Sequence, residues 1–247
     1  MQYKQLFWLH IKKSAGISTR NYLQPHYVRV DRIRKPKCFI QSPPEEHNDI
    51  LNNYRIILGD YQFKRCQFAK KYLYPDTWDE IFSFAFSREP VDRCISMFYY
   101  LYWKDQSLVN RLKSTVLRYI DTRKLHYSTS YAFDHFLDLA LQARESDSIF
   151  IPIDNHFTTH TAPMWDDVTD EDGRILLTKI YRLEHLIEGV NQAFEACGLD
   201  KRIEPDEKKF NQSSIKRRYE PSPQQLKKIE RIYAHDFDLY ETATLDI

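Results

Sequence analysis

Short apolar runs alternate with amphipathic segments along the chain, and this alternation predicts strands of a buried sheet separated by helices. Strands are predicted from the apolar runs at 6–11, 27–33, 55–58, 81–87 and 180–183. Helical spacing predicts helices at 90–103, 107–121, 131–144, 186–197 and 221–242, and a further helix starts shortly after the first strand. The segment 35–46, which contains three prolines, is predicted as a loop, and 149–172 is predicted as a loop-rich stretch.

Strands followed by helices are typical of an α/β domain with a mainly parallel central sheet. The 247 residues suit a single domain, and we predict one unit over 1–247 with a helical and loop-rich insert at about 105–172. In such sheets, ligands bind beyond the carboxyl ends of the strands. The two motifs described below both follow predicted strands, so we expect them at this edge.

Net charge, cysteine spacing and the length of apolar runs limit the partners and the location that the sequence predicts. The 36 Lys and Arg residues nearly balance the 35 Asp and Glu residues, and the net charge of +1 argues against a protein that coats nucleic acid or an anionic membrane. The four cysteines form no CxxC pair and have no histidine at ligand spacing, so neither a metal site nor a disulfide framework is predicted. No apolar run approaches the roughly 20 residues of a membrane span and no signal peptide is recognised, so we predict a cytoplasmic protein.

The first motif lies between the first strand and the following helix, in the segment HIKKSAGIST at 10–19. Gly16 is expected to allow a tight turn that exposes backbone N–H groups at the helix start, where an anion is favoured. Lys13 adds a positive charge, and hydroxyl groups come from Ser14, Ser18 and Thr19. The lysine precedes the glycine, unlike in the GxxxxGK[ST] loop, which argues against a kinase. A plain strand–helix turn with solvated lysines is the alternative.

The second motif follows the predicted strand 81–87. Arg88 stands at the strand end, where a guanidinium can hold a phosphate through two hydrogen bonds. Ser96 lies about two helical turns further, on roughly the same face. Arg93 is expected to pair with a carboxylate and to hold the turn. The alternative is a surface arginine with a capping serine.

Together the two motifs resemble the 5′-phosphosulfate loop and the 3′-phosphate motif of sulfotransferases that use PAPS (3′-phosphoadenosine 5′-phosphosulfate). The similarity is to the carbohydrate group, sulfotransferase family 2, which includes the heparan sulfate 2-O-sulfotransferases. The family pattern HIPKTAGTS reads HIKKSAGIS here, with Lys12 in place of Pro and Ile17 in place of Thr. The pattern RxPxxRxxSxY is met up to its last position, where Phe98 replaces Tyr. The segments FNQS at 210–213 and AHDFDLY at 234–240 are also similar, so the resemblance spans most of the chain.

The resemblance implies a P-loop-like three-layer α/β sandwich, PAPS as donor, PAP as product, and no metal. It implies that Lys13 is the cation at the oxygen that leaves with PAP, and that Arg88 and Ser96 hold the 3′-phosphate. The 5′ end is expected to lie on the loop residues Lys13, Ser14, Ala15, Gly16, Ile17, Ser18 and Thr19. Because Ile17 brings no hydroxyl group, backbone N–H groups must replace that donor. Lys216 and Arg217 are expected to close over the nucleotide; a solvated basic loop is the alternative.

The acceptor hydroxyl requires a base. Relatives carry a histidine after a glycine at the position that Asp60 occupies here, so Asp60 is the first candidate, although an ordinary aspartate is a weak base toward an alcohol. An orienting or turn-capping Asp60 is the alternative, with the base then sought among His10, His156 and His160.

Aromatic residues are dense between 98 and 103 and at 127, 131, 133 and 136. Such residues favour a carbohydrate or phenolic acceptor; the alternative is that they belong to the hydrophobic core. A small-molecule kinase and a non-catalytic PAP-binding protein are the competing functions. The oligomeric state is left open.

Overall fold

A computed structural model describes residues 3–23, 51, 58–102, 128–145, 155–200, 202–204 and 219–243 of the chain. The strands are β1 (Gln5–Leu9), β2 (Ile81–Ser87) and β3 (Lys179–Arg182). The α-helices are α1 (Gly16–Leu23), α2 (Arg65–Phe68), α3 (Pro90–Met97), α4 (Thr129–Glu145), α5 (Asn155–Thr161), α6 (Met164–Val168), α7 (Leu186–Ala196) and α8 (Pro223–Thr242). Short 3₁₀ helices cover Gly59–Tyr61, Trp78–Glu80 and Leu183–His185, and π-helical turns cover Ala69–Leu73 and Phe98–Tyr102.

The three strands form one parallel sheet in the order β1-β2-β3. β1 pairs with β2 from Gln5 opposite Ile81, and β2 pairs with β3 from Phe84 opposite Lys179. Since parallel strands share a direction, the segments after Leu9 and after Ser87 leave the sheet at one edge. The predicted α/β fold with a parallel sheet is confirmed.

Alternating side chains bury both faces of this sheet, as the mainly apolar strands predict. Phe7 and Leu9 face a cluster that includes residues of α2 and α6, whereas Trp8 faces a cluster that includes α1 and α7. The sheet is therefore the middle of three layers. A third apolar cluster joins α3, α4 and α8 beside it.

The longest described helix, α8, begins with a capping box in which the Ser222 hydroxyl accepts from the Gln225 N–H and the Gln225 side chain accepts from the Ser222 N–H. Inside the helix, Tyr233 leaves helical geometry (φ −121°, ψ 28°) and produces a kink. The second half of α8 then runs beside α6, where it supplies a buried carboxylate described below.

The predicted strands at 6–11, 81–87 and 180–183 lie within two residues of the observed ends. The predicted helix at 90–103 is α-helical as far as Met97 and continues as a π-helical turn to Tyr102. The loop predicted at 149–172 is wrong in part, because it contains α5 and α6. Hydrogen bonds from distant side chains hold these two short helices, and such bonds leave no periodic signal. The predictions at 27–33, 35–46 and 107–121, and all but the last residue of 55–58, lie outside the described residues.

Candidate active site

The two sequence motifs meet at one edge of the sheet. The loop after β1 and the residue after β2 are in direct contact, because the Arg88 guanidinium donates a hydrogen bond to the Lys13 carbonyl at 3.1 Å. The sheet register brings the strand ends together, and this bond fixes one motif against the other. Two cationic side chains, Lys13 and Arg88, therefore lie at this edge in the segments that follow adjacent strands.

The backbone of the loop has the geometry of an anion-binding nest. Lys13 (φ 67°) and Ala15 (φ 51°) adopt left-handed conformations, whereas the intervening Ser14 does not. Alternation of this kind turns successive N–H groups toward one point, and it is costly for residues that carry a Cβ. The expectation that Gly16 supplies the turn is wrong, because the left-handed residues of the loop are Lys13 and Ala15.

Gly16 is required for a different reason. The imidazole of His10 lies against it, and a Cβ added at Gly16 would stand 1.8 Å from His10 Nε2. The His10 ring is in turn stacked on Trp8 of β1, with ring centroids 5.1 Å apart. Any side chain at Gly16 would therefore displace a ring that the sheet holds in place.

The side chains of the loop differ in what they offer a ligand. Ser14 is 1% exposed, and its hydroxyl has no hydrogen-bond partner within the described part of the chain. Thr19 is buried and its hydroxyl donates to the Ala15 carbonyl at 3.2 Å, so it stabilises the first turn of α1. Ser18 is buried and Ile17 is exposed. A buried hydroxyl without a partner costs free energy, and an anion in the nest would remove this cost at Ser14.

The Lys13 ammonium is partly buried and contacts an aromatic ring. Burial, with a smaller contribution from the nearby Arg88 charge, lowers the pKa of the Lys13 ammonium to about 8. The Nζ atom lies 4.2 Å from the ring centroid of Tyr100, a distance suited to a cation–π contact. The sequence did not single out Tyr100, since aromatic residues surround it and no motif position marks it.

Two of the three candidate histidines lie beside Tyr100. The His160 ring stacks on the Tyr100 ring at 5.4 Å, and the His156 ring lies 4.2 Å from that of His160. His160 Nδ1 is 2.7 Å from the His156 carbonyl, and burial lowers the His160 pKa to about 2, so this imidazole is neutral. Burial also lowers the pKa of His10 well below its usual range.

Asp60 belongs to a different segment of the chain, between β1 and β2. It is exposed in the 3₁₀ helix Gly59–Tyr61, whose first residue is a left-handed glycine (φ 58°). Within the described residues, no hydrogen bond or ion pair joins Asp60 to Lys13 or Arg88. The structure thus brings Lys13, Arg88, His156 and His160 together around the loop and leaves Asp60 on an exposed turn.

Ser96 lies on α3, two turns beyond Arg88, and is half-buried. The helix starts at Pro90, as expected, and the Glu89 carboxylate accepts from the N–H groups of Val91 (3.1 Å) and Asp92 (2.6 Å). Lys216 and Arg217 lie outside the described residues.

Arg93 pairs with a carboxylate, as predicted, and the partner is Asp236 of α8. The guanidinium NH1 lies 3.4 Å from Asp236 Oδ2, and both side chains are almost completely buried. Arg93 also donates to the Lys12 carbonyl at 3.1 Å and to the Ala162 carbonyl at 2.7 Å. Asp236 was missed from the sequence because its partner is remote along the chain.

Other kinds of site find less support in the described ranges. These ranges hold no group of three or more His, Cys, Asp or Glu residues placed to bind a metal ion. They also contain no helix that is both long and apolar enough to cross a bilayer. The described thiols Cys66, Cys94 and Cys197 are free.

The arrangement is suited to a multiply charged anion, with backbone N–H groups and Lys13 at one end and Arg88 at the other. Comparison with family models gives a match to the model described as the sulfotransferase family over residues 2–242. Comparisons with curated proteins and with solved structures gave no match. Because the family model covers nearly the whole chain, including both motifs, the protein belongs to the sulfotransferase family and is a PAPS-dependent sulfotransferase.

Proposed function

We propose that this enzyme transfers the sulfuryl group of PAPS to a hydroxyl group of a carbohydrate and releases PAP. The observation that carries the proposal is the contact between the Lys13 loop and Arg88 at one sheet edge. The contact supports the proposal because PAPS carries phosphate at its 3′ position and phosphosulfate at its 5′ position, and such a nucleotide requires anion-binding groups from both motifs on one surface.

The loop residues fit the 5′ end of the donor. The Ser14 hydroxyl is buried without a partner in the described part of the chain, and the left-handed residues around it form an anion nest. We assign the 5′-phosphosulfate to residues 13–19 and the 3′-phosphate to Arg88 and Ser96. A guanidinium has five N–H donors in a planar fork that matches a phosphate, and the bond from Arg88 to the Lys13 carbonyl uses one of them. We assign closure over the nucleotide to Lys216 and Arg217.

Catalysis in this proposal depends on placement and on one cation. The bond between sulfur and the PAP phosphate oxygen breaks while a bond forms between sulfur and the acceptor oxygen, so negative charge grows on the phosphate. The Lys13 ammonium stabilises this charge from a partly desolvated position, where such an interaction is stronger than in water. Loss of one preorganised donor of this kind typically costs about 10²–10³ in turnover.

The acceptor proton goes to a base, and we propose Asp60 for this role. Its exposure leaves it accessible to a large acceptor. The Asp60→Asn variant should retain PAP affinity and lose turnover, measured by calorimetric titration and by transfer from labelled PAPS.

The matched control for Asp60→Asn is the double variant His156→Gln and His160→Gln, because both imidazoles lie near Tyr100 and Lys13. Near-normal turnover in Asp60→Asn together with loss of turnover in the histidine variant would transfer the role to the histidine pair.

Aromatic side chains support a carbohydrate acceptor. Tyr100 and Tyr72 are 40% and 42% exposed, and Tyr72 lies beside Tyr61, with ring centroids 5.5 Å apart. Sugar rings have apolar faces that stack on such side chains. A screen of glycan and phenolic acceptors with labelled PAPS tests this assignment, and transfer to phenols alone would replace the carbohydrate by a phenolic acceptor. Titration with PAP beside ATP and GTP tests the donor site.

A further inference from the structure

We propose that Asp236 is a positioning residue for the donor loop, acting through Arg93. The proposal concerns a residue near the end of the chain, far in sequence from the loop and outside both motifs. It rests on the proposed function, since the loop must be the donor site for its position to matter in binding. Neither residue is expected to touch the donor.

Asp236 is completely buried and has several hydrogen-bond donors around it. Its Oδ2 atom accepts from Arg93 NH1 at 3.4 Å and from the Met164 N–H at 2.9 Å, and its Oδ1 atom accepts from the Trp165 N–H at 2.8 Å. The carboxylate therefore caps the first turn of α6 and faces the Arg93 guanidinium at the same time. This fixes the guanidinium between α8 and α6.

Arg93 uses its other N–H groups on three backbone carbonyls. NH2 donates to the His160 carbonyl at 3.4 Å and to the Ala162 carbonyl at 2.7 Å, and Nε donates to the Lys12 carbonyl at 3.1 Å. The guanidinium is planar and rigid, so the direction of Nε follows from the bonds made by NH1 and NH2. Asp236 thereby helps to determine the position of the Lys12 carbonyl in the loop.

The bond to the Lys12 carbonyl orients the N–H group that follows it. The carbonyl of Lys12 and the N–H of Lys13 belong to one planar trans peptide unit and point in opposite directions. Holding the carbonyl on Arg93 turns the Lys13 N–H to the other side. The next carbonyl, that of Lys13, is held by Arg88. Two consecutive peptide units of the loop, one of them ending at left-handed Lys13, are thus fixed by arginines before a donor binds.

A purely structural role for the pair would predict a loss of stability without a specific loss of donor binding. The chain offers a matched control in a second buried ion pair, Arg65 with Asp167, whose side chains are 7% and 6% exposed. Asp167 lies on α6, the same helix that Asp236 caps. Its partner Arg65 donates hydrogen bonds to Asp167 and to the Leu51 carbonyl. Loss of this pair should disturb α6 without releasing the Lys12 carbonyl.

The test compares PAP affinity and thermal stability in wild type, Asp236→Asn and Asp167→Asn. We expect both variants to lose stability, with PAP affinity lowered about tenfold to a hundredfold in Asp236→Asn and changed by no more than about twofold in Asp167→Asn. An unchanged affinity in Asp236→Asn, or equal losses in both variants, would overturn the positioning role while leaving the donor site intact. Absence of PAP binding in wild type would overturn the proposed function and this inference together.

Should Asp236→Asn yield no folded protein, Arg93→Lys decides instead. A lysine keeps a positive charge beside Asp236 but cannot reach Lys12, His160 and Ala162 from one planar group. A folded Arg93→Lys variant with weakened PAP binding supports the proposal, and one that binds PAP like wild type contradicts it.

Discussion

At the scale of single residues, the loop at 13–19 combines two left-handed backbone conformations with a lysine, Lys13, whose pKa is lowered. Lys13 and Ala15 are left-handed, and arginine hydrogen bonds hold the carbonyls of Lys12 and Lys13 on either side of the first of them. Burial and the Arg88 charge lower the pKa of Lys13 to about 8, whereas the Tyr100 ring favours its charged form. The site is therefore prepared for an anion before one binds.

The lowered Lys13 pKa predicts that PAP affinity falls as pH rises through about 8. A lowered pKa means that the free protein loses this proton above that value, while the bound anion requires the ammonium, so binding must then take up a proton. Calorimetric titration between about pH 7 and 9 measures the fall. The control is Lys13→Arg, which stays charged throughout. The same decline in Lys13→Arg would contradict the assignment.

The close approach of His10 predicts that Gly16→Ala lowers stability and PAP affinity, and that a second substitution at His10 restores part of the loss. A methyl group 1.8 Å from His10 Nε2 must displace the ring, so stability and PAP affinity should both fall. We expect about 1–3 kcal/mol lost in the free energy of unfolding. The double variant His10→Ala with Gly16→Ala should recover part of this loss, measured as a coupling energy in urea denaturation. Simple additivity of the two changes would rule out the steric explanation.

At the scale of elements, the helix α6 illustrates how long-range contacts create secondary structure. It has five residues, too few for a helix that is stable by itself. Asp236 accepts from its first N–H groups, and Asp167 near its end pairs with Arg65 of α2. Two side chains that are distant in sequence therefore stabilise this helix. Asp236 accepts hydrogen bonds at its N-terminus, and Arg65 neutralises the charge of Asp167.

Breaking the Arg65–Asp167 pair by Asp167→Asn should cost about 3–5 kcal/mol in the free energy of unfolding, because an uncompensated buried guanidinium remains. Replacing both partners by apolar residues, as in Arg65→Met with Asp167→Leu, should recover most of this loss. Urea denaturation of the two variants provides the comparison. A double variant as unstable as the single one would indicate that hydrogen bonds, rather than the unpaired charge, dominate.

At the scale of the whole molecule, hydrogen bonds and packing connect the loop at 13–19 with the buried sheet and with α8. The sheet is covered on both faces, its carboxyl edge carries the loop, and Arg93 joins the loop to α8 and to the segment before α6. A ligand that binds the loop should therefore stabilise the packed layers together rather than the loop alone.

PAP at about 100 times its dissociation constant should raise the free energy of unfolding by about 2.7 kcal/mol. Equal concentrations of ATP should stabilise the protein less, because the loop has no lysine after its glycine to reach a triphosphate. Thermal unfolding with each nucleotide measures the difference, and Lys13→Ala serves as the control in which the PAP effect should shrink. Equal stabilisation by ATP and PAP would contradict a site specific for PAPS.

Much of the fold could be predicted from local patterns. The run at 81–87 coincides with β2, and the helix starting at Pro90 has its proline at the first position. The contact of Arg88 with the Lys13 loop follows from two parallel strands ending together. In contrast, α5 and α6 were predicted as loop because their stabilising partners lie elsewhere in the chain. Tyr100 was not distinguished from its aromatic neighbours for the same reason.

The amino-acid sequence by itself determined the three described strands, the helices that start near positions 90, 131, 186 and 223, the two sequence motifs and the family, because periodicity and short spacings are local properties. The tertiary structure decided which residues carry the left-handed backbone, why position 16 must be glycine, and that Arg93 meets Asp236 across 143 residues of chain. These features depend on contacts between segments whose separation follows no repeat. Only packing of the three layers brings such segments within hydrogen-bonding distance, and those contacts assemble the candidate site.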